Sequence, residues 1–248
     1  PRSAGRGSDR QVRIQARLDV QAADSIKQIT VTDYDRAVMR LACKRWGLRW
    51  STVTWLHPRL MYVGLSPWWT EDASLGYVAA QTRYGPIDPG PCPSTWLVPS
   101  EYVCVRFYGR ATFKMAARTF DFVEQTIARL AARVPVVDLN PHVYGDDHAD
   151  FRITGTNVFG LPAHDVRENL AVQASVLARA TGFLGTYGGL AQLALRLGVQ
   201  SVSIYDGPFN GTSPAHLMLS QLIAVKTGVG FTVLSVDQVQ MARGLVTT

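Results

Sequence analysis

Residues 182–199 of the chain are Gly-Phe-Leu-Gly-Thr-Tyr-Gly-Gly-Leu-Ala-Gln-Leu-Ala-Leu-Arg-Leu-Gly-Val. A short β-rich run enters a glycine-rich turn, and a helical apolar pattern begins directly after it at Leu190. Gly185, Gly188 and Gly189 permit a sharp turn and a close approach of the backbone to a ligand. The N–H groups at the start of the following helix favour an anion such as a diphosphate. A tight turn without a ligand is the alternative, because glycine clusters are weak motifs by themselves.

Short β-rich runs alternate with helical periodicity on both sides of this stretch, which is typical of βα units on a parallel sheet. The predicted strands are Tyr102–Phe107, Val134–Leu139, Asn157–Leu161, Gly182–Leu184, Ser201–Tyr205 and Phe231–Leu234. The fold class predicted for residues 96–248 is therefore α/β, a Rossmann-like parallel sheet with flanking helices.

Helical stripes and caps lie between these runs. The two clearest apolar stripes are Phe120, Val123, Ile127 and Leu130, and then Leu170, Ala174, Leu177 and Ala178. Ser213 and Pro214 are typical of an N-cap and a first helical residue, and Gly228 of the glycine that ends that helix. Ser235 and Gln238 predict a capping box at the start of the last helix.

The first 95 residues differ from the rest. A helix is predicted after Thr32 or Asp33, ended by Gly47, with an apolar face of Tyr34, Val38, Leu41 and Ala42. Residues 50–96 are rich in Trp and Pro without a clear period, and a linker is predicted at Ile87–Ser100. Residues 1–95 are thus predicted to be a partial, mainly helical or irregular segment. Since the chain starts at Pro1 without a Met, we expect a processed product or a piece of a larger protein whose N-terminal part is missing.

The composition, with 47% hydrophobic and 18% charged residues, is that of a soluble globular enzyme. Three scattered cysteines, Cys43, Cys92 and Cys104, argue against a disulfide framework and a structural zinc site. The chain has neither ~18–20 consecutive apolar residues nor a signal-peptide core, so we predict a cytoplasmic protein, either free or peripherally associated with the inner face of a membrane. The net charge of +6 favours an anionic partner. No nucleic-acid partner is expected, because no recognition motif accompanies the dispersed basic residues.

Two further loops follow strands at the edge where open α/β sheets bind ligands. The loop after Phe107 contains Arg110 and Lys114, which could neutralise a diphosphate without a metal. The polar loop Asp206–His216 leads into a second helix N-terminus. The three loops are expected to converge on one ligand, with solvated surface charges as the alternative.

Other polar and aromatic residues have simpler interpretations. A loop-shaping role, and no metal site, is predicted for a group that fits no zinc template: His142, Asp146, Asp147, His148 and Asp150. His57 is interpreted as a histidine satisfied by its neighbours, with a base facing a domain cleft as the alternative. Trp68 and Trp69 are interpreted as packing residues, with a sugar platform as the alternative.

Several separated motifs resemble the donor domain of bacterial GT-B glycosyltransferases of polysaccharide biosynthesis. They are Tyr102–Phe113, the Asp146-Asp-His148 loop, Arg167-Glu-Asn-Leu170 and above all Phe183-Leu-Gly-Thr-Tyr-Gly-Gly189, with a weaker likeness in Gln28–Trp69. The turn Gly185–Leu190 and its helix also resemble, more distantly, those of heptosyltransferases. The resemblance implies a two-domain cleft enzyme that moves a sugar from a nucleotide diphosphate to an acceptor, usually without a bound metal.

The resemblance also implies a donor site in which helix dipoles and basic side chains stabilise the leaving diphosphate. The predicted donor-binding residues are Arg106, Arg110, Lys114, Gly185, Thr186, Tyr187, Gly188, Gly189, Tyr205, Ser213 and His216. The expected partners are a nucleotide sugar and an unidentified acceptor, which is a glycan, a lipid-linked sugar or a small molecule. No metal and no cofactor are expected. No catalytic residue is assigned, because the part of a GT-B enzyme that often carries the base is incomplete in this chain.

A glycosyltransferase is the leading interpretation, and two alternatives stay open. A nucleotide-sugar epimerase of the same architecture would need carboxylates in the cleft for proton abstraction. A non-catalytic module derived from the fold would hold a nucleotide or a protein partner without turnover.

Overall fold

The structure is a computed structural model of the chain. It describes residues 13–16, 33–45, 47–52, 87–92, 96, 99–109, 113–114, 116–140, 149–165, 168–206 and 213–246. Several residues considered above lie outside these ranges: His57, Trp68, Trp69, Arg110, His142, Asp146, Asp147 and His148.

The described strands form two sheets. In chain order they are β1 (Arg13–Ala16), β2 (Val103–Arg106), β3 (Tyr108–Gly109), β4 (Val136–Asp138), β5 (Ala149–Thr154), β6 (Val158–Gly160), β7 (Gly182–Thr186), β8 (Ser201–Tyr205) and β9 (Phe231–Ser235). The larger sheet is parallel throughout and has the spatial order β6-β4-β2-β7-β8-β9. All the strands predicted from the sequence are confirmed, with small shifts at their ends.

The order of the parallel strands places a crevice in the sheet. Numbered along the chain, its strands occur in space as third, second, first, fourth, fifth and sixth, which is the doubly wound order. The direction of winding reverses between β2 and β7, whose register pairs Arg106 with Gly185. In such sheets the connections that follow the two central strands run to opposite sides of the sheet. A ligand crevice forms between them, next to the carboxyl ends of those two strands.

The described helices are α1 (Asp33–Arg45), α2 (Ala117–Ala131), α3 (Asn169–Leu177), α4 (Gly189–Arg196), α5 (Ser213–Thr227) and α6 (Val236–Val246), with a 3-10 turn at Trp50–Thr52. On one face of the parallel sheet, Phe122 of α2 and Val236 of α6 pack in one core with Val105. On the opposite face, Val176 of α3 and Ala194 of α4 pack with Cys104. Because neighbouring residues of β2 are buried on opposite faces, this is a three-layer α/β/α fold.

The predicted capping box and the C-terminal glycine are confirmed, while the cap predicted at Ser213 stays a prediction, because that side chain lies outside the described residues. The Oγ of Ser235 accepts from the Gln238 N–H at 3.0 Å, and the Gln238 side chain accepts from the Ser235 N–H at 2.8 Å, which is the reciprocal capping box at the start of α6. Gly228 follows the end of α5 with a φ of 68°. Short side chains and left-handed glycine at these points fix where the helices begin and end.

The stripe predicted for α3 is partly wrong. Ala174 and Leu177 are buried as expected, but Leu170 is 65% exposed. Burial instead runs continuously from Val172 to Leu177, because the helix is enclosed on all sides beyond its first turn. A helix buried on every side has no single apolar stripe, so its period does not reveal its orientation.

The second sheet was not predicted. It is antiparallel in the order β1-β5-β3, with Arg13 opposite Thr154 and Tyr108 opposite Asp150. Tyr108 and Gly109, predicted to begin a ligand loop, therefore lie in a strand. Each of these strands is short and depends on a partner distant in sequence, and the alternation within one short run does not identify that partner.

The described N-terminal parts partly fit the prediction. Helix α1 is confirmed, and Gly47 follows it with a φ of 65°. Its predicted buried residue Leu41 is 66% exposed, whereas Cys43 is buried. Cys92 and Trp96 of the predicted linker pack against the core that contains α3 and α4. None of the described helices is long and apolar enough to cross a membrane.

Candidate functional site at the carboxyl edge of the parallel sheet

A cavity of about 460 Å³ opens where the winding of the parallel sheet reverses. It is formed by the ends of β2 and β3 and by the facing sides of α3 and α4, and we call it the switch-point cavity. Its described lining residues are Arg106, Tyr108, Asn169, Leu170, Gln173, Gly189, Leu190, Gln192, Leu193 and Arg196. The volume lies within the range of roughly 300–1,000 Å³ typical of small-molecule sites.

Arg106 forms part of the wall of this cavity, although it is only 5% exposed. It is the last residue of β2, and the alternation of the strand turns it to the same face as Cys104. Its Nη1 donates to the Leu139 carbonyl at 3.2 Å, and its guanidinium lies 5.8 Å from the centroid of the Tyr108 ring. The hydrogen bond and the contact with the aromatic ring hold the guanidinium at the cavity.

The Leu139 carbonyl connects the cation to helix α3. It accepts a second hydrogen bond, 2.8 Å long, from the side-chain amide of Gln173, which is 5% exposed. Arg106 and Gln173 thus share one carbonyl oxygen, which has two lone pairs and can accept from both. This arrangement fixes two polar side chains of the cavity wall against the end of β4.

The glycines of the predicted phosphate turn differ in what surrounds them. Gly185 lies directly against β2, since a Cβ there would overlap the carbonyl oxygen of Arg106 and lie 2.9 Å from the Phe183 ring. A Cβ on Gly188 would overlap the Tyr108 hydroxyl, whereas one on Gly189 would meet nothing within 4 Å. Gly185 is therefore required by packing against the backbone of β2, whereas the overlap at Gly188 is with the end of one side chain. Of these three glycines, Gly189 lines the switch-point cavity.

Thr186 is not a ligand donor in this structure. Its hydroxyl accepts from the Tyr108 N–H at 3.1 Å and donates to the Tyr108 carbonyl at 3.2 Å, and the residue is 1% exposed. A hydroxyl has one proton, so this donor is fully used in joining β3 to the end of β7. The residue predicted to bind phosphate instead positions Tyr108, which does line the cavity.

Tyr187 lies outside the described lining of the switch-point cavity. Burial is the main cause that raises the pKa of its hydroxyl, while the nearby polar side chains of Ser220 and Gln192 act to lower it. Its ring lies 6.3 Å, centroid to centroid, from that of Phe231. Since Gln192 lines the cavity, Tyr187 lies beside a residue of the cavity wall.

The remaining predicted residues lie elsewhere on the same edge or outside the described atoms. Tyr205 is half-buried at the end of β8, and Lys114 is exposed in the segment before α2. Ser213 and His216 belong to the first turn of α5, as predicted, but their side chains lie outside the described residues, as does all of Arg110. Of the predicted set, Arg106 and Gly189 are the residues that the structure brings to the switch-point cavity.

Most of the polar wall was missed by the sequence interpretation. Asn169, Gln173 and Gln192 are amides within helices, and the local pattern around Asn169 and Gln192 does not distinguish them from surface residues. One signal was present, because Gln173 interrupts an otherwise apolar helix between Val172 and Ala174. A polar residue in such a helix is either buried with a partner or lines a site.

A second arginine lies on the other face of the same edge. Arg118, in the first turn of α2, pairs with the carboxylate of Asp206 directly after β8 and with that of Asp237 in the first turn of α6 at 3.3 Å. Asp206 is buried and Arg118 is half-exposed. We call these residues the Arg118 cluster. Asp206, predicted to begin a ligand loop, is therefore engaged in an internal ion pair, which is also the main cause that raises the pKa of Arg118.

No three His, Cys, Asp or Glu side chains among the described residues come together in a way that could hold a metal ion. Most of the acidic loop at 146–150 is outside those residues, so its interpretation stays a prediction. Compared with known proteins, the chain matches no family model, no curated protein and no solved structure.

Proposed function

We propose that the switch-point cavity binds the diphosphate of a nucleotide-diphosphate sugar, and that the protein transfers the sugar to an acceptor as a glycosyltransferase. One observation carries the proposal: the buried guanidinium of Arg106 and the first turn of α4 line the same cavity. Both are sources of positive potential, and a partly desolvated site strengthens their attraction for an anion.

The chemistry follows from the charge that develops during transfer. An acceptor hydroxyl oxygen bonds to the anomeric carbon while the bond from that carbon to the diphosphate breaks, and the bonding electron pair leaves with the diphosphate. Arg106 and the N–H groups at the start of α4 would stabilise this added charge as fixed positive groups. The acceptor proton passes to a base or to solvent, and no described lining residue is assigned that role.

A binding module without turnover is the second candidate. The observation that favours it is the chemistry of the described lining, which contains arginines, amides, a tyrosine, leucines and a glycine but neither a carboxylate nor an imidazole. Those are the usual groups for general acid and base catalysis, and an epimerase would also require them. Binding without sugar release would favour this candidate.

Calorimetric titration tests the binding site. The ligands are UDP-glucose, ADP-glucose, GDP-mannose, dTDP-glucose and the matching diphosphates, each added to the wild type, Arg106→Lys and Lys114→Ala. We expect at least one ligand to bind the wild type, to bind Arg106→Lys more weakly and to bind Lys114→Ala equally well, because Lys114 is exposed away from the described cavity lining. Failure of every ligand to bind the wild type would refute the proposal.

Release of nucleoside diphosphate from the ligand that binds separates the two candidates. Slow hydrolysis of the sugar nucleotide, lost in Arg106→Lys, is expected of a transferase that uses water in place of its acceptor. Tight binding with no release, with or without a panel of sugar and glycan acceptors, would instead assign the non-catalytic function.

A further inference from the structure

His164 and Asn169 form a polar pair at the edge of the switch-point cavity. His164 lies between β6 and α3, and its Nδ1 is 2.6 Å from the carbonyl oxygen of Pro162. Its Nε2 is 3.1 Å from Oδ1 of Asn169, the first residue of α3 and part of the cavity wall. Both side chains are half-buried. The pair therefore connects an ionisable ring to an amide that a ligand in the cavity can reach.

The proton of the neutral ring has a defined position. A carbonyl oxygen has only lone pairs, so the contact with Pro162 requires a proton on Nδ1 in every charge state of His164. In the neutral ring Nε2 is then an acceptor, and Asn169 must present its NH2 to it. In the cationic ring Nε2 becomes a donor, and Asn169 must present its carbonyl oxygen to it across the 3.1 Å contact.

The two orientations of Asn169 occupy almost the same space, because the oxygen and the NH2 of a primary amide have nearly the same shape. The group that does not face His164 is left for other partners. Protonation of His164 thus exchanges an acceptor for a donor on the cavity side of Asn169 without a change in packing.

We propose that Asn169 is a specificity-determining residue of the switch-point cavity and that His164 is its positioning residue. With His164 neutral, Asn169 offers an oxygen to a hydroxyl or N–H donor of the ligand; with His164 cationic, it offers an N–H to an acceptor. The ligand class rests on the proposed function, in which the hydroxyl-rich sugar or ribose of a sugar nucleotide supplies the donor.

Charged groups lie on the elements around this pair. Asp165 and Glu168 are on the same segment and are exposed. Arg106 of β2 and Arg196 of α4 line the cavity together with Asn169.

Nuclear magnetic resonance of the ligand-free protein tests whether the amide of Asn169 responds to the charge state of His164. We expect a proton on Nδ1 of His164 in both charge states between about pH 5 and pH 9. The side-chain amide signals of Asn169 should shift with the same midpoint as the His164 ring. Those of Gln173 should not follow that midpoint, because its NH2 donates to the Leu139 carbonyl at 2.8 Å. A His164 proton on Nε2 alone, or an Asn169 amide that ignores the His164 midpoint, would overturn the positioning role.

Variants test the same coupling and the contact with the ligand. His164→Gln replaces the ring with an amide that cannot titrate, and should leave the Asn169 signals independent of pH with the fold retained. Asn169→Leu removes the amide at similar volume. For whichever sugar nucleotide above binds, we expect about two- to tenfold weaker binding to Asn169→Leu. Acidification should change the affinity of the wild type more than that of His164→Gln, because the cavity side of Asn169 changes only where the ring can be protonated.

Two outcomes separate this inference from the proposed function. Binding that is equally strong in Asn169→Leu and the wild type would overturn the specificity role while leaving the proposed function intact. Absence of binding by every sugar nucleotide would overturn the proposed function and the ligand assigned to Asn169, whereas a shared midpoint of His164 and Asn169 would still establish the coupling.

Discussion

Arg106 and Arg118 lie at the same edge of the same sheet, on opposite faces, and their surroundings differ. Arg118 is half-exposed and is bound by the carboxylates of Asp206 and Asp237, which hold the end of β8 and the starts of α2 and α6 together. Arg106 is 5% exposed, donates to a carbonyl and lines a cavity of about 460 Å³. Position at the ligand edge is thus not sufficient to indicate binding. What distinguishes Arg106 as a candidate ligand-binding cation is the cavity beside it.

The largest difference between these arginines is expected in ligand binding. Arg106→Gln should weaken binding of a nucleoside diphosphate about tenfold to hundredfold, because it removes a charge-assisted contact in a partly buried site. Arg118→Gln should change the affinity less than twofold but lower the melting temperature, because its contacts are internal. Calorimetric titration and thermal unfolding of both variants check this. Equal losses of affinity would remove the distinction between the two sites.

The next largest effect concerns the turn that places Arg106. Gly185→Ala should destabilise the fold by about 1–3 kcal/mol, because the added methyl group overlaps the backbone of Arg106 and cannot be relieved by rotation of a side chain. Gly189→Ala is the matched control, since open space surrounds that position, and should change stability by less than about 0.5 kcal/mol. Urea unfolding measures both. If Gly185→Ala had the same free energy of unfolding as the wild type, β2 and β7 would be able to move apart without loss of stability.

A smaller effect sharpens the description of the Arg118 cluster. Asp206→Asn should lower the melting temperature more than Asp237→Asn, because Asp206 is buried and Asp237 is 69% exposed at its side chain. Exposed ion pairs are screened by solvent and contribute little. Thermal unfolding at low and high salt tests this, with a larger salt dependence expected for the Asp237 contact. The reverse order of the two variants would contradict it.

The smallest expected effect is a decline of stability at alkaline pH. It involves Tyr102, which is buried on the sheet face that carries α3 and α4. Burial is the main cause that raises the pKa of Tyr102, whose hydroxyl donates to the Val176 carbonyl at 2.7 Å, above its ordinary value of 10.0. The folded state then holds this proton more tightly than the unfolded chain. Its contribution to stability is complete below about pH 10 and declines as the pH rises further.

Tyr102→Phe tests that assignment. The variant should cost about 0.5–1.5 kcal/mol at neutral pH through the lost hydrogen bond, and its stability should decline less steeply above about pH 10. Burial also raises the pKa of Cys104 above its ordinary value of 9.0, so part of the alkaline decline should persist in Tyr102→Phe. Urea unfolding across the alkaline range measures the slopes. An unchanged slope would show that Tyr102 does not ionise in this range.

The parallel strands and their helices could be predicted because each is encoded by neighbouring residues. Runs such as Ser201–Tyr205 carry the β-rich pattern of a buried strand, and Ser235 and Gln238 satisfy the first N–H groups of their own helix. The strands β3 and β5 and the exposure of Leu170 could not be predicted in this way. They depend on partners far along the chain, which local periodicity does not specify.

The candidate site shows the same division more strongly. The sequence by itself determined that a glycine-rich turn would join a strand to a helix at the carboxyl edge of a parallel sheet, because backbone freedom and helix capping are local properties. Only the tertiary structure decided that Gly185 and Gly188 face β2 and Tyr108, that the Thr186 hydroxyl is used internally, and that Asn169, Gln173 and Gln192 form the polar wall. The physical reason is that a cavity is the space left between packed elements, and its shape depends on how distant segments approach one another.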